Sequence, residues 1–77
     1  MISTNDLKGA IATHGDTQAQ LAAYLGITES TLSAKINNLR DFSRAEVELI
    51  AMRYMLGEAD MRKIFFPLLV TSNATSA

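Results

Sequence analysis

The chain has no cysteine and no tryptophan, and only one proline and one histidine among 77 residues. Without cysteine there is no disulfide framework, no thiolate nucleophile and no cysteine-ligated zinc site. No uninterrupted apolar run approaches the length of about 20 residues that a bilayer span requires, and no cleavable signal is visible at the N-terminus. A cytoplasmic chain with no membrane partner is therefore expected. His14 has no ligand cluster around it in sequence, so no metal site is expected. Ser30 and Ser33 have no adjacent general base, which leaves nucleophilic catalysis without support. Neither an enzyme, a cofactor nor a small-molecule ligand is expected. Positive charge is also short: the formal net charge is −1.

A hydrophobic content of 48% with few aromatics suits a small helical domain, and the length holds one domain at most. The stretch from Thr17 to Asn38, TQAQLAAYLGITESTLSAKINN, is the most informative. Leu21, Ala22 and Leu25 recur at helical spacing and stop at Gly26. After Ile27 a second stripe begins, with Leu32, Ile36 and Leu39 on one side. Gly26 stands where the chain leaves the first of these helices, and glycine enters left-handed backbone space without a Cβ clash. Ala22 is small where two crossing helices come closest. This is the pattern of a helix-turn-helix, whose second helix enters the DNA major groove.

Start and stop signals divide the chain into five helices. Ser3 with Asp6 resembles a capping box before a stripe of Leu7, Ala10, Ile11 and His14, ended by Gly15. Thr17 with Gln20 opens the second helix and Thr28 caps the third, which frays at Asn37 and Asn38. Ser43 with Glu46 is another capping box, opening a helix that runs to about Leu56 before Gly57. A fifth helix runs from about Glu58 to Ile64. Pro67 disfavours helix in the residue before it, so 68–70 is expected to be extended and the polar end disordered. The division is a domain over 1–66 and a tail over 67–77.

The segments GDTQAQLAAYLGITESTLSAKINN and DFSRAEVELIAMRY, with the ending IFF, resemble the Cro-type or XRE-type helix-turn-helix repressors of phages and prophages. The resemblance covers about Leu7 to Phe66. It implies an all-α, five-helix, lambda-repressor-like domain that acts as a transcriptional repressor or regulator by binding a pseudo-palindromic operator in double-stranded DNA as a homodimer. It also implies that Glu29, Ser30, Ser33 and Ala34 meet base edges, and that Gln18 clamps a phosphate. The chemistry is compatible: a glutamate accepts from a cytosine amine, serine is tolerant, and alanine can touch a thymine methyl. An arginine to pair with guanine is missing, so discrimination per half-site is modest or rests partly on DNA shape.

Thr28, Lys35, Asn37, Asn38, Arg40 and Arg44 are the remaining phosphate candidates. Lys35, Arg40 and Arg44 gather near the end of the motif, whereas Glu46, Glu48, Glu58 and Asp60 lie downstream, so the chain is polarised. The acidic balance keeps a second class open, a protein-interaction module that retains the helix-turn-helix without useful DNA affinity.

The fourth helix carries two apolar stripes. Val47, Ile50, Ala51 and Tyr54 form the core side; Leu49, Met52 and Leu56 form a second, nearly opposite one. A helix apolar on two sides must bury both. Either the segment 65–70 folds back over the second stripe, or a second subunit covers it. A homodimer is the favoured expectation, with Leu49, Met52, Leu56, Phe66, Leu68, Leu69 and Val70 at its interface.

Overall fold

The computed structural model describes residues 1–65 and consists of five helices in succession. These are α1 (Thr4–Thr13), α2 (Gln18–Leu25), α3 (Glu29–Ile36), α4 (Arg44–Arg53) and α5 (58–65). Among the described residues there is no strand, and no helix is long and apolar enough to cross a membrane. The expected tail over 67–77 and the interface positions Phe66, Leu68, Leu69 and Val70 lie outside the described residues.

Local chemistry explains most helix starts. The side chains of Thr17, Thr28 and Ser43 accept from the backbone N–H of Gln20, Thr31 and Glu46, each at 3.1 Å. These bonds satisfy donors that a helix N-terminus leaves without partners. The reciprocal box is complete only at α4, where the Ser43 N–H donates to Glu46 Oε1 at 2.8 Å. At α2 the Gln20 side chain meets the Thr17 hydroxyl instead. At α1 the expected box does not form. The Ser3 hydroxyl donates to Asp6 Oδ2 at 2.7 Å, while the Ser3 N–H is taken by the Ile64 carbonyl at 2.8 Å, a contact from the other end of the domain.

The first four helices end alike. A residue in left-handed backbone space follows each one: Gly15, Gly26, Asn38 and Met55. Two backbone bonds then close the turn, as in Leu39 N–H to Ala34 O and Asn38 N–H to Lys35 O. The exit expected at Gly57 is taken by Met55, at φ 49°, so α4 stops at Arg53 rather than near Leu56. The early turn lets Leu56 fold back, with its N–H on the Ala51 carbonyl at 2.9 Å and its side chain packed against the core.

One core runs through all five helices. Leu7, Leu21, Leu32, Ile36, Ile50 and Phe65 are its fully buried side chains, joined by Ile11, Ala22, Tyr54 and Ile64. Leu25 and Val47 are partly buried against it. Two expectations for these stripes are corrected. Leu39 is 79% exposed, because α3 ends at Ile36 and the left-handed Asn38 turns the chain outward. Phe42 enters the core instead, edge-on to Phe65 at 6.2 Å between ring centroids. His14 is exposed rather than part of a buried stripe; its Nδ1 lies 2.9 Å from the Ala10 carbonyl and its ring lies against Tyr54.

The segment before α1 is also part of the core. Ile2 is buried, and the Asn38 side chain brackets its backbone, accepting from Ile2 N–H at 2.7 Å and donating to Ile2 O at 3.0 Å. The Thr4 hydroxyl donates to Ile36 O at 2.7 Å, satisfying a carbonyl at the end of α3.

Candidate nucleic-acid interface

Helices α2 and α3 pack against each other across the turn Gly26-Ile27-Thr28. Gly26 has φ 74°, and the Ile27 N–H returns to the Ala22 carbonyl at 3.0 Å. Ala22 is 2% exposed, consistent with a site where only a small side chain fits between helices. Leu32 and Ile36 on α3 have no exposed surface, and they fix which side of the helix faces out.

That outward side carries Glu29 and Ser30, both exposed, with Ser33 and Ala34 half-buried. None of the four uses its side chain to hold another helix; the Ser33 hydroxyl and carbonyl receive only the Asn37 amide, one turn on along the same chain. Glu29 makes no ion pair among the described residues. Gln18 occupies the first position of α2, next to its N-terminal amides, and Thr28 is the N-cap of α3. An N-terminus of this kind favours anions through free N–H groups and the helix dipole.

The remaining candidates separate into two groups. Arg40 is exposed with no ion pair among the described residues, and Arg44 is 94% exposed, facing Glu48 at 3.7 Å one turn along α4. Lys35 and Asn38 are engaged inside the chain. Lys35 Nζ donates to Glu46 Oε1 at 2.5 Å, with the two side chains only 13% and 12% exposed, and it lies over the Phe42 ring. Burial pushes the Glu46 carboxyl up, but hydrogen bonds from Lys35 and Ser43 outweigh it and hold the group below the usual carboxylate range. Asn38 is occupied with Ile2, as described above. Glu46 is thus not part of a separate acidic end, as the charge pattern implied, but a partner of α3.

A second internal ion pair supports the start of α2. Arg53 donates through Nε and Nη2 to the two Asp16 oxygens, and the Tyr54 hydroxyl donates to Asp16 Oδ2 at 2.6 Å. The Arg53 guanidinium also lies 4.8 Å from the Tyr24 ring centroid. The Arg53 hydrogen bond, against the opposing effect of burial and with help from Tyr54 and the Thr17 amide, holds the Asp16 carboxyl far below its ordinary value. Burial and the neighbouring carboxylate push the Tyr54 hydroxyl up. No short-range spacing in the sequence links Asp16 to Arg53, so the pair is legible only in three dimensions.

Of the expected interface on α4, Met52 is 69% exposed and Leu49 is half-buried, whereas Leu56 belongs to the core side. Met55 adds a further exposed apolar side chain beside Met52. Among the described residues no three His, Asp or Glu side chains converge as ligands for a metal ion. Comparison with protein-family profiles, curated proteins and solved structures finds no match to this chain.

Proposed function

We propose that this chain is a sequence-specific DNA-binding regulator, a repressor of the Cro or XRE helix-turn-helix type acting in the cytoplasm. In this reading α2 and α3 form the helix-turn-helix of a lambda-repressor-like domain. Helix α3 enters the major groove of a pseudo-palindromic operator, and a homodimer places one copy in each of two successive grooves. The observation that carries the reading is the state of α3: pinned from inside by Leu32 and Ile36, while the side chains of Glu29, Ser30, Ser33 and Ala34 make no hydrogen bond or ion pair to another helix, Ser33 meeting only Asn37 one turn on. These four side chains read bases. Gln18, Thr28, Asn37, Arg40 and Arg44 position the phosphate backbone; Asn37 bonds only to Ser33 one turn back, whereas Lys35 and Asn38 are removed from that set by partners in other elements.

One observation favours a protein-interaction module instead. Lys35, Arg44, Arg53, Arg62 and Lys63 all face carboxylates of the same chain, which leaves little free positive charge. Titration with short duplexes at low and moderate salt separates the two classes, since a phosphate-contacting protein must lose affinity as salt rises. Selection of bound sites from random duplexes then tests for sequence preference. Salt-dependent binding with a recovered two-fold site is the expected outcome; no binding at low salt would remove the DNA-binding reading.

A further inference from the structure

We propose that Glu46 sets how strongly the α2–α3 face holds DNA of any sequence, by keeping Lys35 away from phosphate. The inference rests on the DNA-binding reading above and concerns the control of that same face. Lys35 is the only cation between Thr17 and Asn38, and Glu29 is the only anion. With Lys35 paired, the stretch offers one exposed carboxylate and no free ammonium.

The Lys35–Glu46 pair differs from a loose surface contact. Both side chains are almost nine-tenths buried, where salt screens a charge pair much less than on an open surface. Glu46 Oε1 also accepts the Ser43 N–H, so the carboxylate is fixed by the cap of α4 and does not follow Lys35 outward. Moving Lys35 to a phosphate would leave that carboxylate partly buried without its partner, which is strongly unfavourable. Lys35 therefore remains with Glu46 when DNA approaches. Sequence-independent affinity comes from neutralised phosphates, so the lock keeps it low and leaves stable binding dependent on base contacts made by both half-sites. Bulk DNA then competes weakly with an operator for the protein.

Glu46→Gln isolates the charge, because a glutamine at this position still accepts from the Ser43 N–H and completes the capping box. The probe is a mixed-sequence duplex, titrated by the full chain across a range of salt. Glu46→Gln should bind it more tightly than wild type at low salt, with a salt slope steeper by about 0.9, the value for one added phosphate contact. The double variant Lys35→Met with Glu46→Gln removes both charges together and should return the wild-type slope. A wild-type slope in folded Glu46→Gln would overturn the lock, as would a double variant whose slope is shallower than wild type by about 0.9, which would mean that Lys35 already touches phosphate. If Glu46→Gln fails to fold, the double variant decides by the same criterion. A wild-type chain that binds no duplex instead removes the DNA-binding reading, and the lock falls with it.

Discussion

Arg53 and Asp16, 37 positions apart, meet through two parallel hydrogen bonds of 2.7 and 3.1 Å, Nε to one carboxylate oxygen and Nη2 to the other. Planar, two-pronged pairing is the strong form of an arginine–carboxylate contact. It ties the end of α4 to the residue just before the Thr17 cap. The orientation of α2 thus depends on a charge pair as well as on the core.

Acid should weaken the domain through this pair. The folded Asp16 carboxyl ionises well below its ordinary value, whereas in the unfolded chain it returns to about 3.9. Between those values the unfolded chain binds more protons, so stability is full above the unfolded value and is lost as pH falls toward the folded one. Glu46 acts in the same direction. Asp16→Asn should cost about 1–3 kcal/mol at neutral pH, since Arg53 loses its counter-charge in a partly buried position. It should also flatten the acid limb of the Tm-against-pH curve. Parallel curves for the two chains would show that Asp16 contributes little to acid sensitivity.

Met55→Gly should stabilise the fold. A side chain in left-handed backbone space costs about 1–2 kcal/mol, and Met55 is 85% exposed, so little burial is lost with it. Glycine's larger entropy loss on folding returns roughly 0.5–1 kcal/mol of that gain. The net expectation is a rise of a few degrees in the thermal midpoint. Gly26→Ala should do the reverse, because its φ of 74° is strained for any side chain. A lowered midpoint for Met55→Gly would mean that the methionine makes contacts its exposure does not reveal.

Reading and positioning should separate by mutation. Gln18→Ala should weaken binding to all duplexes alike, because phosphate contacts carry no direct sequence information. Ala34→Gln should change the preferred bases, measured by repeating the site selection. If binding persists and the recovered site is the same, the outward face of α3 has been assigned wrongly.

Met52→Glu tests the homodimer. A charge on the exposed side of α4 would strike a two-fold interface twice. The expected result is a folded monomer with much weaker operator binding, read by sedimentation and titration. A wild-type chain that sediments as a monomer at tens of micromolar would exclude a dimer of useful strength and leave Met52 as ordinary exposed surface.

What was legible in the sequence was mostly local. Caps at Thr17, Thr28 and Ser43, the exit at Gly26, and the burial of Leu21, Leu32, Ile36 and Ile50 all follow from residues within about one or two helical turns. The errors lie where direction or distant partners decide. Leu39 keeps the helical spacing of its stripe, but the helix has already ended. The Ser3 N–H finds Ile64, so Asp6 is not needed to cap it. Lys35 reads as free surface until Glu46, 11 positions on, is brought beside it. On the candidate face, the sequence indicated which residues share α3 but not which of the nearby cations were already neutralised.

Asn38 is exposed, and by that measure its side chain should be freely exchangeable. The bracket around Ile2 implies the contrary. The position asks for three properties at once: tolerance of a positive φ, an oxygen that accepts, and an N–H that donates at short reach. Glycine supplies only the first, aspartate lacks the donor, and glutamine is longer and less at ease in left-handed space. Asparagine alone among these meets all three. In a saturation library, position 38 should therefore behave like a core residue, and its restriction would stem from the end of α3 and the segment before α1 rather than from any contact with DNA.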